Sequence, residues 1–260
     1  MNAIRVMPCL LLKGAGLVKT VKFKDPKYLG DPRNAVRIFN EKEVDELVVL
    51  DITATPQGKG PNFDLVQEIV SEAFMPVGYG GGVSSMDHIH RLLYLGIEKV
   101  IITSAAIDNP ALVREASETF GSQSVVVCLD VKKKMWGGYE LYSHSGGRGR
   151  KLDPVEFARR MEDAGAGELI VNSIDCDGVM QGYDTRLIRS VSSAVNIPVV
   201  ASGGAGKLED LAAAIAEGGA SAVAAGSLFV FQGKHRAVLI NYPEYRTLVE
   251  LFRGISPQGA

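Results

Sequence analysis

Apolar residues in this chain fall into short continuous runs separated by longer stretches in which apolar positions recur every three or four residues. The short runs, rich in Val, Ile and Leu, cover 4–12, 46–52, 76–79, 99–103, 124–131, 168–173, 198–201 and 222–225 and predict strands. The stretches between them, 64–73, 86–95, 110–120, 154–164, 185–195 and 208–218, predict amphipathic helices. Strands without polar alternation, each followed by a helix, imply a parallel sheet buried on both faces. Eight such units within 260 residues fit a closed (β/α)₈ TIM barrel better than an open doubly wound sheet. No Pro/Gly/Ser linker or low-complexity stretch interrupts the pattern, so one domain over 1–260 is expected.

The pattern also repeats. Cys9-Leu10-Leu11-Leu12-Lys13 returns as Cys128-Leu129-Asp130-Val131-Lys132, Leu50-Asp51-Ile52 falls near Ile174-Asp175-Cys176, and Gly80-Gly81-Gly82 matches Ser202-Gly203-Gly204. Gly81 to Ser104 and Gly204 to Ser227 are both 23 residues. Two half-barrels, about 1–123 and 124–250, would produce this order.

Composition narrows the function classes. A net charge of −2 offers no footprint for nucleic acid, and the basic clusters Lys132-Lys133-Lys134 and Arg148 to Lys151 are small enough to be solvated loops. No apolar run approaches the roughly 20 residues of a membrane span. The N-terminal residues lack the pattern of a signal peptide. Three cysteines, Cys9, Cys128 and Cys176, have no metal-ligand spacing and cannot form a full disulfide set. A reduced cytoplasmic setting without a metal or cofactor is expected.

Chemistry concentrates where strands end. Gly80-Gly81-Gly82 leads into the helix near Met86, and glycines there let backbone N–H groups approach an anion at a helix N-terminus. Thr103-Ser104 adds hydroxyls after the next strand; Gly203-Gly204 and Gly226-Ser227 repeat the arrangement in the second half. Matched sites on opposite sides of one mouth point to a ligand phosphorylated at both ends. Asp51, Asp130, Asp175 and Asp177 stand at the same strand ends. Asp130 lies in the apolar run Val125 to Val131, where burial can tune a carboxyl for acid/base work, although a loop-capping role fits the position too. Asp51 and Asp175 suit loop or ligand-hydroxyl contacts, and Asp177-Gly178 a ligand-facing turn. At the opposite strand ends stand Arg5, Glu46, Lys99 and Glu168. They form either a surface salt-bridge set or, if they point inward, a charged ring closing the barrel bottom.

These residues resemble the cyclase subunit of imidazole glycerol phosphate synthase. The resemblance runs through Pro8-Cys9-Leu10, Gly30-Asp31-Pro32, Asp45 to Ala54, the glycine loop, Phe120-Gly121-Ser122-Gln123, Gly165 to Glu168, Ser173 to Gly178, Gly182-Tyr183-Asp184 and Ala201 to Gly206. It implies a barrel fed with ammonia by a glutaminase partner, a bis-phosphorylated aminoimidazole precursor across the two phosphate sites, and Lys19 on a mobile loop over the mouth. It also makes Arg5, Glu46, Lys99 and Glu168 an ammonia gate. One departure stands out. The family carries an acid at the strand end of each half, whereas this chain has Asp130 in the second and Leu11 in the first. Thr103-Ser104 replaces the family's Asn-Thr, and Cys176 replaces Arg. With the tail Phe229 to Pro243, these features resemble a divergent branch associated with surface polysaccharide. That branch supplies ammonia for amidination of an N-acetylated sugar, alongside a separate ATP-dependent amidotransferase. Sugar amidination is therefore the first expectation. The histidine-pathway cyclase and a non-catalytic ammonia conduit are the alternatives.

Overall fold

A computed structural model describes residues 4–233 and 235–255; Met1 to Ala3, Lys234 of the tail motif and 256–260 lie outside the description. In chain order the elements are β1 (Arg5–Lys13), β2 (Gly16–Val21), β3 (Lys24–Gly30), α1 (Pro32–Glu41), β4 (Leu47–Asp51), α2 (Phe63–Glu72), β5 (Val77–Gly80), α3 (Met86–Tyr94), β6 (Lys99–Ile102), α4 (Ser104–Asp108) and α5 (Ala111–Phe120). There follow β7 (Val125–Lys133), β8 (Tyr139–Ser143), β9 (Arg148–Gly149), α6 (Pro154–Asp163), β10 (Glu168–Ser173), α7 (Thr185–Ser192), β11 (Val199–Ser202), α8 (Leu208–Ala216), β12 (Ala222–Ala225), α9 (Ser227–Val230), β13 (Phe231–Gln232), β14 (Ala237–Val238) and α10 (Tyr245–Leu251).

Parallel pairing runs β10-β11-β12-β1-β4-β5-β6-β7, and β7 pairs back onto β10. The eight strands close into a (β/α)₈ barrel, as the apolar runs predict. Alternation along each strand divides the core. On β1, Val6, Leu10 and Leu12 pack outward against the helices, while Met7, Cys9 and Leu11 fill the barrel with Val48, Ile101, Val126, Cys128, Ile170, Val200, Ala222 and Ala224. Helices start where short polar side chains satisfy free backbone N–H groups: Asp31 accepts from Arg33 N, Ser85 from His88 N, and Asp153 from Val155 N and Glu156 N. Pro32 and Pro154 occupy first turns, where the missing N–H costs nothing.

Two features were not legible in the hydrophobic pattern. The first strand of each half continues into a hairpin, β2 and β3 after β1, β8 and β9 after β7. Lys19 therefore belongs to strand β2 rather than to a loop. Short helices also follow β6 and β12, where Thr103-Ser104 and Gly226-Ser227 read as strand ends. Register corrects the internal alignment as well. Leu12 pairs with Asp51 and Val131 with Ser173, so the counterpart of Asp51 is Ser173, not Asp175. Gly80 and Ser202 end equivalent strands, so Gly81 answers to Gly203, and the two spacings to Ser104 and Ser227 are 23 and 24. The pairing of Leu11 with Leu50 and of Asp130 with Asn172 keeps Leu11 as the counterpart of Asp130.

Candidate active site at the barrel mouth

The strand C-terminal ends surround a cavity of about 1100 Å³, open solvent included, lined by residues from both halves. Asp130 enters it from the end of β7 and is only 8% exposed. Burial pushes its carboxyl up to about 7; the Asn172 amide, donating from Nδ2 at 2.9 Å, pulls downward, and the nearby Asp177 charge adds to the rise. A carboxyl balanced near neutrality can both accept and release a proton. Leu11 lines the same cavity from β1, equally buried at 8%. It brings no proton-carrying group, so the mouth has one such carboxyl at these paired strand ends rather than two.

The β2–β3 hairpin folds over this mouth. Lys19 is buried, and its ammonium donates to the Cys9 carbonyl at 2.5 Å. Burial lowers its pKa, opposed by Cys9 and Asp177. A Cβ on Gly226 would come 2.0 Å from Lys19 Nζ, so a larger residue there would push the ammonium from this position. Thr20 Oγ1 donates to Asp177 Oδ2 at 3.2 Å, and Lys22 N to the Asp177 carbonyl at 2.8 Å. Gly178 seats the hairpin: a Cβ there would lie 2.1 Å from the Thr20 carbonyl oxygen. Burial raises the Asp177 carboxyl, with Lys19 and Thr20 opposing.

Gly81, Gly82, Thr103 and Ser104 gather on one side of the cavity, and Gly178, Gly203, Gly204, Gly226 and Ser227 on the other. Ser104 and Ser227 open α4 and α9, whose first-turn N–H groups have no partner within the helix. Asp51 also lines the cavity, but its Oδ1 accepts from Thr53 N, Thr53 Oγ1 and Ala54 N at 2.8–3.1 Å. Its main work is to hold its own loop. Asp175 instead ties the loop after β10 to the end of β7, accepting from Lys133 N at 2.8 Å.

At the opposite end, Arg5 bridges Glu46 (2.6 Å) and Glu168, while Lys99 bridges the same two carboxylates at 2.8 and 2.9 Å. Four side chains from four strand starts thus meet in one alternating ring, with Glu46 and Glu168 only 5% and 6% exposed. A surface salt-bridge set does not describe them.

Sequence reasoning missed Asn172. It is 7% exposed, lines the cavity, bonds Asp130 through Nδ2 and leaves its buried Oδ1 without a partner among the described residues. Only its cross-strand register reveals it, because Asn at a strand end otherwise reads as turn chemistry. Among the described residues no group of three His, Cys, Asp or Glu could hold a metal ion, and no helix is long and apolar enough to cross a membrane.

Comparison with known proteins identifies the family. The family model described as histidine biosynthesis protein matches residues 5–236. A Pseudomonas aeruginosa protein provisionally named imidazole glycerol phosphate synthase subunit hisF2 is 53% identical over 94% of this chain and 97% of its own length. A Vibrio vulnificus protein, provisionally subunit hisF3 of the same synthase, is 47% identical over 92% of each chain. A Leptospira interrogans protein, provisionally its subunit HisF, is 45% identical over 95% of this chain and 98% of its own.

Proposed function

The chain belongs to the histidine biosynthesis protein family, and from that premise we propose an ammonia-using barrel subunit, paired with a glutaminase, that supports amidination of an N-acetylated sugar in surface-polysaccharide synthesis. A separate ATP-dependent amidotransferase completes the reaction, and all of it takes place in the cytoplasm. Ammonia enters through the ring of Arg5, Glu46, Lys99 and Glu168 and crosses the apolar barrel interior to the mouth. There Gly81, Gly82, Thr103 and Ser104 hold one phosphate of the ligand. Asp177, Gly178, Gly203, Gly204, Gly226 and Ser227 hold the other, with Lys19 and Asp51 between them. Asp130 moves the proton.

The observation that carries this reading is Leu11 in the register position that answers to Asp130. Closing an imidazole ring needs proton removal and proton delivery at opposed positions, and losing one acid/base group typically costs ~10²–10⁴-fold. The deciding measurement is ammonia-dependent turnover of the bis-phosphorylated aminoimidazole precursor by the purified barrel. Turnover at trace level, with glutamine-dependent sugar amidination restored only when barrel, glutaminase and amidotransferase are combined, is the expected result. Family-level turnover would establish instead the second reading, a histidine-pathway cyclase. That reading is favoured by the names of the relatives and by an Asp130 carboxyl already poised near neutrality.

A further inference from the structure

Asp130, Asn172 and Ser202 stand side by side on β7, β10 and β11, in register and all lining the mouth. Across the barrel, Leu11 and Leu50 pair on β1 and β4. Every proton transfer at these paired strand ends therefore passes through one half of the rim. In its present position the Asn172 carboxamide serves the ionised form of Asp130. Nδ2 donates at 2.9 Å to Oδ1 of the carboxylate, and this forces the amide oxygen to the far side, against Gly203. There it is buried and accepts nothing among the described residues, an arrangement that costs free energy. Once Asp130 carries a proton it can donate as well as accept, and the reversed orientation of Asn172 is the one that lets the amide oxygen take that O–H. The oxygen then accepts from the carboxylic O–H, and Nδ2 turns toward Ser202, whose hydroxyl rotates to accept.

We propose that the Asn172 carboxamide is a two-position element that turns over with the protonation of Asp130, so that one carboxyl both takes and returns a proton where the paired strand end carries Leu11 instead of a second acid. The proton leaves an N–H of the bound nitrogen, rests on Asp130 and goes back to the same ligand, so the cycle balances without another reactant. The role of this exchange in turnover rests on the proposed ammonia chemistry; the switch itself does not. Other groups facing Asp130 are Cys128 on its own strand, with Sγ 4.0 Å away, Asp177 from the loop after β10, and Cys9 and, beyond it, Lys19 from β1 and β2. None of them forms both a donated and an accepted bond with the carboxyl.

The test is a pH titration of the unliganded protein by nuclear magnetic resonance, following the Asp130 carboxyl carbon and the Asn172 side-chain amide. Both signals should move with one midpoint near 7, and Asp130→Asn should abolish the movement of the amide. Asn172→Leu removes the donor to the charged form and should raise the Asp130 midpoint by about one pH unit. Asn172→Thr, whose hydroxyl can donate or accept, should hold it within about half a unit of the parent. An amide signal that ignores the carboxyl titration, or an unmoved midpoint in Asn172→Leu, overturns the proposal. If Asn172→Leu does not fold, the coincidence of the two wild-type midpoints and the Asn172→Thr value still decide it. Because no turnover is read, failure here is distinct from failure of the ammonia-using reading.

Discussion

Burial and hydrogen bonding pull the Asp130 carboxyl in opposite directions, and burial wins, leaving it near 7. The sign fixes a stability prediction. Between about pH 4 and pH 7 the folded protein keeps a proton that the unfolded chain releases, so stability is greatest below that window and falls as pH rises through it. Asp130→Asn should therefore melt several degrees above the parent at pH 8, with the gap closing toward pH 4, in thermal scans at fixed ionic strength. An unchanged difference across that range would mean that burial does not hold the proton. Leu11 supports the companion prediction. Leu11→Asp restores an acid opposite Asp130 and should raise residual turnover of the aminoimidazole precursor by ~10²-fold, the usual share of one acid/base group. Asp130 was legible in the sequence because a lone acid in an apolar run stands out. Asn172 was not, since its importance lies in a neighbour 42 residues away.

At the scale of elements, the eight barrel strands were readable to within a residue or two because each is an uninterrupted apolar run. The hairpins escaped because β1 and β7 pass into them through exposed, glycine-bearing turns, and β3 buries none of its residues. The short helices α4 and α9 escaped because five and four residues carry no helical period. The four charged strand starts were legible as a set, but not their inward direction, which depends on barrel closure. That closure makes Lys99 testable. Its ammonium joins two nearly buried glutamates, so Lys99→Met should destabilise by up to about 3–5 kcal/mol in urea unfolding. Lys99→Glu should uncouple glutamine hydrolysis from ammonia use in the glutaminase complex while leaving activity with added ammonium salt. A parallel fall in both activities would count against a gate.

For the whole molecule, the two halves place comparable glycine loops and helix starts on opposite sides of one cavity, yet they differ at the paired positions Leu11 and Asp130. On the proposed reading anion binding and proton transfer separate: the first uses both halves, the second Asp130. If the halves bind independently, each site should be removable without the other. Ser104→Asp sets a carboxylate at the start of α4, and Ser227→Asp does the same at α9, each repelling an anion from one side only. Calorimetric titration with inorganic phosphate should find two equivalents bound by the parent, one by either variant and none by the double variant. A ligand with a phosphate at each end should lose ~10–100-fold in affinity in either single variant, the effect of forfeiting charge-assisted hydrogen bonds at one end. Crystals grown in phosphate should carry density at both positions. A single variant that abolished all phosphate binding would reduce the two sites to one. The second glycine loop would then be a tight turn between β11 and α8, and the ligand would need a phosphate at only one end.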